Sequence, residues 1–127
     1  MADLKAPVLV VDDHEGTVGI LKGLLTRLGF ETVEGCTSAS SAWDRLEGTE
    51  YGLVISDWHM TPMSGHDLLV RLRAKESKRR TPFVVVTADA STDSVVTARR
   101  AGADNYMVKP FSAETLKAQL VTVIGDF

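Results

Sequence analysis

Four runs of apolar residues end in side chains that can do chemistry. Val8–Val11 is followed by Asp12 and Asp13, Leu53–Ile55 by Ser56 and Asp57, Phe83–Val86 by Thr87, and Tyr106–Val108 by Lys109. Taken singly, an Asp after an apolar run is more often a turn or helix-cap residue than a functional one. Four such ends together mean more. If the runs are parallel strands of one sheet, their carboxyl ends share a rim, and ligands bind there where the strand order reverses. Asp12, Asp13 and Asp57 then crowd one crevice, and carboxylates placed so closely hold either a proton or a cation. An all-oxygen donor set favours a hard cation, and Mg2+ suits one or two carboxylates completed by waters and phosphate oxygens. Lys109 adds a point charge able to pair with Asp57 or a phosphate, and Thr87 adds a hydroxyl donor. Such a group of side chains suits the handling of a phosphoryl group.

The chain has no nucleotide cradle of its own. Neither G-x-x-x-x-G-K-[ST] nor a G-x-G-x-x-G after the first apolar run occurs, and there is no G-x-S-x-G elbow. A phosphoryl donor is therefore another molecule, and the obvious acceptor is an Asp carboxylate. His14, His59 and His66 lack metal-ligand spacing, and a structural role is the expectation for His14 and His66.

Strands and helices must alternate to position these residues. The runs Val8–Val11, Leu53–Ile55 and Phe83–Val86 are continuous and rich in β-branched residues, as in strands buried on both faces. Phe30–Glu34 alternates and is more polar, which suits an edge strand. Helical spacing joins Val18, Leu21, Leu25 and Leu28, widened by Leu24 and stopped at Gly29. A second helix carries Ala39, Ala42, Trp43 and Leu46 behind Ser38 as cap, and a third carries Leu68, Leu69 and Leu72. A fourth carries Val95, Ala98 and Ala101 before Gly102, and a fifth carries Ala113, Leu116, Leu120 and Val123 behind Ser112. The pattern is (βα)5. It predicts an α/β, doubly wound parallel sheet in the flavodoxin-like order 2-1-3-4-5, with the second and fifth strands at the edges. The charged segment Lys75–Thr81 is expected to be a solvated surface loop.

Composition narrows the classes further. The 127 residues suit one domain, 1–127, and a hydrophobic fraction of 44% with 24% charged residues excludes a mostly disordered chain. A net charge of -3 is not the basic footprint of a nucleic-acid binder. The lone Cys36 excludes an intramolecular disulfide and any zinc site built on several cysteines. The apolar run from Ala6 to Val11 is too short for a signal peptide or a membrane span, so a cytoplasmic protein is expected.

Four motifs, V-V-D-D ending at Asp13, I-S-D-W ending at Trp58, V-T-A ending at Ala88 and K-P-F ending at Phe111, resemble in order and spacing those of CheY-like receiver domains of two-component response regulators. The resemblance covers essentially the whole chain. It implies that Asp57 is the phosphoacceptor and that Asp13 and Asp57 coordinate Mg2+ directly, with Asp12 acting chiefly through water. It further implies a metal ligand in the backbone carbonyl of His59, and phosphoryl-oxygen contacts from Lys109 and Thr87. The Lys109–Pro110 bond would be cis, and Tyr106 would be the switch aromatic. The implied partners are a histidine kinase or phosphotransfer domain as donor and a downstream protein target such as the flagellar motor switch. That target would be met on the face of the fourth helix, fifth strand and fifth helix, where Arg99, Arg100 and Lys117 contribute charge. A monomer that catalyses only its own phosphorylation and dephosphorylation is expected. No DNA-binding output domain and no direct transcriptional control are expected, and chemotaxis is favoured over a phosphorelay shuttle or a phosphate sink.

Two departures stand out. The family's usual D-x-x-M-P-x-M-x-G reads here Asp57-Trp58-His59-Met60-Thr61-Pro62-Met63-Ser64-Gly65, with proline moved one residue on. The path of this loop is therefore open, because proline restricts both its own φ and the residue before it. His59 and Asp89 stand where side chains flank the phosphoryl group and tune its hydrolysis, and an imidazole there would make the lifetime pH-dependent. A rival from another class is a haloacid-dehalogenase-type phosphohydrolase, since Asp57–Thr61 echoes D-x-D-x-T. That family needs a second Asp where this chain has His59.

Overall fold

The computed structural model describes residues 2–127. Its elements run β1 (Val8–Val11), α1 (Glu15–Leu28), β2 (Val33–Cys36), α2 (Ala39–Gly48) and β3 (Leu53–Ser56), then α3 (Gly65–Ala74), β4 (Phe83–Thr87), α4 (Thr92–Ala101), β5 (Asn105–Val108) and α5 (Ala113–Ile124). The five strands form one sheet in the order β2-β1-β3-β4-β5, and every pairing is parallel. This is the doubly wound order expected from the alternation of patterns. β1, β3 and β4 are buried along their whole lengths, whereas β2 and β5 at the edges are half-buried.

Pleating divides the apolar runs between two cores. Leu9, Val11, Val54, Phe83 and Val85 face Ala42 and Leu46 of α2, Leu68, Leu69 and Leu72 of α3, and Ala98 of α4. Their alternates Val8, Val10, Leu53, Ile55, Val84 and Val86 face Val18, Leu21 and Leu25 of α1 and Leu116 and Leu120 of α5. Each of these leucines contributes roughly 1.5–3 kcal/mol by leaving water, and a helix on each face explains why the runs are continuous rather than alternating.

Helix ends fall where the chain carries cap residues. The hydroxyls of Ser38, Ser64, Ser91 and Ser112 accept from backbone N–H groups of α2, α3, α4 and α5, and Ser64 forms a reciprocal capping box with Asp67. Gly29 adopts the left-handed conformation at φ 112°, with its N–H donating to Thr26 O and that of Phe30 to Leu25 O. That pair of bonds is a Schellman motif, which places a hydrophobic residue directly after the glycine.

The motif explains one correction. The edge strand was expected over Phe30–Glu34 but occupies Val33–Cys36. Phe30 instead closes α1, is 3% exposed, and packs its ring against Phe127 at 5.2 Å. A second correction concerns Lys75–Thr81, which contains a 3-10 turn at Glu76–Lys78. Lys78 is buried there with its Nζ 3.5 Å from Thr49 O, so the segment is not wholly solvated. Trp43 is only partly buried, with Arg71 and Lys75 set over its ring at 5.9 and 5.6 Å.

Candidate functional site

Strand register brings the polar ends together. Val11 pairs with Ser56 in β3, and Thr87 pairs with Val108 in β5, so Asp12, Asp57, Thr87 and Lys109 leave the sheet at the same rim. The Asp57 N–H donates to Val11 O at 2.9 Å, and the Lys109 N–H donates to Thr87 O at 2.8 Å. The order of strands puts β1 beside β3, which is where its direction of growth reverses.

Asp12 is 1% exposed and Asp57 7%. Lys109 Nζ donates to Asp12 Oδ2 at 2.6 Å and approaches Asp57 Oδ2 at 3.4 Å. Burial pulls the Lys109 ammonium down, but the hydrogen bond to Asp12 and the charges of Asp57 and Asp12 outweigh it and leave its pKa above the usual lysine value. The other oxygen of Asp57 accepts from the Trp58 N–H at 2.6 Å. Asp12 Oδ1 accepts from the His14 N–H at 2.9 Å. Asp12, Asp13, His14 and Asp57 each offer a ligand atom, and these atoms all lie within 4.8 Å of one another. Three carboxylates gathered so closely fit a hard divalent cation, whose charge offsets their repulsion more fully than Lys109 alone does.

The loop after Asp57 resolves the question raised by the shifted proline. Both Thr61–Pro62 and Lys109–Pro110 are cis, the second as expected. Met60 is buried, Met63 packs against the core, and Thr61 and Pro62 face solvent. Trp58 is buried and stacks on the His66 ring at 4.9 Å. The Gly65 N–H closes the loop on Trp58 O at 2.9 Å. A Cβ at Gly65 would sit 1.9 Å from Asp57 O, so only glycine lets α3 begin this close to the acidic residue.

A second cluster flanks the mouth. His59 Nε2 lies 2.6 Å from Asp89 Oδ2, which joins the loop after β3 to the loop after β4. Ser94 Oγ donates to the same oxygen at 2.5 Å, and the Ser91 N–H donates to Asp89 Oδ1 at 2.8 Å. The Ser94 hydroxyl first, then His59 and Ser91, hold the Asp89 carboxyl well below the usual carboxylate range. Tyr106 OH donates to Asp89 O at 2.5 Å, and burial together with the Asp89 charge pushes its phenol up. Thr87 is 2% exposed, and its Oγ1 accepts from the Asp89 N–H at 3.4 Å. Asp89 therefore links His59, Thr87 and Tyr106.

The side chains singled out from the sequence for metal, phosphoryl and switch roles fall into these two adjoining groups: Asp12, Asp13, Asp57 and Lys109 in one, and His59, Thr87, Asp89 and Tyr106 in the other. His14 was expected to be structural, yet its ring lies 3.0 Å from Asp13 Oδ1 and 3.2 Å from Asp12 Oδ1. Its adjacency to the acidic pair was the available signal. Ser94 was missed because a serine inside a helix carries no mark of its own.

The model of the response regulator receiver domain matches residues 8–121. The chemotaxis protein CheY1 of Helicobacter pylori is 37% identical over 119 residues, covering 93% of this chain and 96% of that protein. A chemotaxis protein CheY homolog of Campylobacter jejuni is 39% identical over 119 residues, covering 93% and 92%. Among solved structures, chemotaxis protein CheY4 of Vibrio cholerae superposes with a TM-score of 0.87 at 28% identity, covering 94% of this chain and 98% of that one. The receiver domain of a sensor histidine kinase from Pseudomonas aeruginosa, described with a magnesium ion coordinated in its active site cleft, gives 0.86 at 25% identity and covers 96% and 99%.

Proposed function

This chain belongs to the response regulator receiver domain family, and on that premise we propose that it is a cytoplasmic, phosphorylation-activated switch in chemotaxis signalling with Asp57 as phosphoacceptor. The observation that carries the reading is the buried Asp57 carboxylate held within reach of Asp12, Asp13 and Lys109 at one rim of the sheet.

A histidine kinase or phosphotransfer domain supplies the group from a phosphohistidine. One carboxylate oxygen of Asp57 attacks phosphorus and forms the P–O bond. The P–N bond breaks, its electron pair stays on the imidazole nitrogen, and the nitrogen is protonated as it leaves. Lys109 then meets a transferred phosphoryl oxygen with its ammonium, and Thr87 meets another with its hydroxyl. Asp13, Asp57 and the His59 carbonyl, with Asp12 acting through water, would hold Mg2+, which would supply positive charge against the phosphoryl oxygens. The donor set and the magnesium reported in the Pseudomonas receiver support that choice of ion. The family model and the chemotaxis relatives support Asp57 as the acceptor.

The new group adds negative charge and acceptor oxygens beside Thr87. Thr87 moves towards it, and the loop after β4 follows. Tyr106 is tied to that loop through Asp89 O, so its packing reports the state of Asp57 to the surface of α4, β5 and α5. A downstream protein binds that surface; the relatives' names support a role in chemotaxis, and a flagellar motor component is the target proposed here. The protein acts as a monomer. The hydrolase alternative lacks its general acid, because His59 occupies the position where that chemistry needs an aspartate.

Incubation with acetyl phosphate and Mg2+ is expected to raise the intact mass by one phosphoryl group. Omitting the metal or making Asp57→Asn is expected to abolish the gain; labelling that survives Asp57→Asn removes the reading. Deletion of the gene is expected to abolish swimming reversals, whereas normal reversals would point to a phosphorelay shuttle or phosphate sink.

A further inference from the structure

His14 sits at the N-cap of α1 but does no capping. Its backbone is extended at φ −101° and ψ 111°, and its side chain makes no cap hydrogen bond. Although 74% exposed, the ring turns back onto the acids, with Nδ1 3.0 Å from Asp13 Oδ1 and 3.2 Å from Asp12 Oδ1. A ring nitrogen and one oxygen from each of Asp12, Asp13 and Asp57 fit within a span of 4.8 Å. The only other titratable groups meeting these acids by direct side-chain contact among the described residues are those of Lys109, on the far side of Asp12.

Resting on the proposed function, in which this cluster holds the divalent ion, we infer that His14 is a further metal ligand that donates an imidazole nitrogen to an otherwise all-oxygen set. That donor changes which ion the site prefers. Mg2+ is hard, gives up its water reluctantly, and gains little from an imidazole. Borderline first-row ions gain a great deal, in the rising order Mn2+, Co2+, Ni2+. The receiver therefore binds Co2+ and Ni2+ with a margin over Mg2+ that the three carboxylates alone do not confer. Occupancy of the phosphorylation site then depends on which divalent ions are present, not on magnesium alone.

Calorimetric titration of the full chain with Mg2+ and with Ni2+ at one fixed pH gives the affinity ratio. His14→Phe, which removes the donor, and His14→Gln, which keeps a polar side chain without the ring, are compared with the parent protein. The Ni2+/Mg2+ ratio is expected to fall by roughly tenfold or more in both variants, the least that losing even an outer partner of a metal ligand costs. Proton NMR of the Co2+-loaded parent is expected to show imidazole ring signals shifted far outside the ordinary range, and both variants should lack them. An unchanged ratio, or shifted ring signals that persist in His14→Phe, overturns the inference while leaving Mg2+ binding and Asp57 labelling intact. Failure of the parent protein to bind any of these ions overturns the proposed function itself.

Discussion

Lys109 is the first cation of the acidic pocket, and any metal must share the acids with it. Its ammonium holds Asp12 at 2.6 Å and stands 3.4 Å from Asp57. At about 4 Å a unit charge is worth about 1 kcal/mol even at the dielectric constant of water. Lys109→Met is therefore expected to tighten Mg2+ binding roughly fivefold, about 1 kcal/mol, while weakening phosphoryl-dependent switching; calorimetry that finds weaker binding would contradict this balance. His59 acts differently. Its 2.6 Å pairing with Asp89 spans the mouth between two loops, and a spanned mouth hinders the water that hydrolyses an acyl phosphate. His59→Ala is expected to shorten the lifetime of phosphorylated Asp57 several-fold, measured by loss of the added mass over time. An unchanged lifetime would show that the pair is no barrier.

At the scale of elements, the far end of the sheet depends on one arginine. Arg73 of α3 donates through Nη1 to Thr81 O at 2.7 Å, and through Nε and Nη2 to Gly102 O at 3.1 and 2.9 Å. Its Nη2 also meets Asp104 Oδ2, which accepts from the Phe83 N–H. One side chain thus ties α3 to the start of β4 and the end of α4. Arg73→Ala strands these carbonyls and is expected to cost roughly 2–3 kcal/mol in urea unfolding. The edge strand has its own tie, in which Tyr51 OH donates to Glu34 Oε1 at 2.7 Å and Arg45 Nη1 approaches the same oxygen at 3.1 Å. Burial first, then the hydrogen bond and charge of Glu34, push the Tyr51 phenol up from 10.0 to about 12. A raised folded-state pKa means stability fully present below pH 10 and lost as pH rises towards 12. Tyr51→Phe is expected to flatten that alkaline loss in urea midpoints measured across the window. A loss of equal steepness would show that the phenol is not its source.

For the whole molecule, metal binding at the acidic cluster would be coupled to folding, because Asp57 meets Asp12 and Asp13 only when β1 and β3 pair. An ion that binds the folded chain alone stabilises it by about 2.7 kcal/mol at a concentration of about 100 Kd. Mg2+ is expected to raise the unfolding midpoint of the parent protein accordingly, and Asp13→Asn is expected to remove most of that gain. A midpoint indifferent to Mg2+ would mean the pocket does not close around the ion. The two cores on opposite faces of the sheet make this coupling cooperative, since neither helix layer is complete without the strands that carry the acids.

The fold class, the strand order and the group Asp12, Asp13, Asp57, Thr87 and Lys109 were legible in the sequence. They follow from local features: apolar runs buried on both faces lose their alternation, cap residues mark helix ends, and chemistry collects where parallel strands stop. The offset of β2 from Phe30–Glu34 to Val33–Cys36 was not legible, because alternation over five residues fits a strand and a helix-closing turn equally well until α1 is packed. The loop through Pro62, the burial of Lys78, the His59–Asp89 bridge and the turn of His14 onto the acids were likewise decided by tertiary structure alone. Each depends on contacts made between elements, or on how the chain packs around them. Periodicity reports which face of an element is buried; the distance between two side chains on different elements exists only once the sheet has closed.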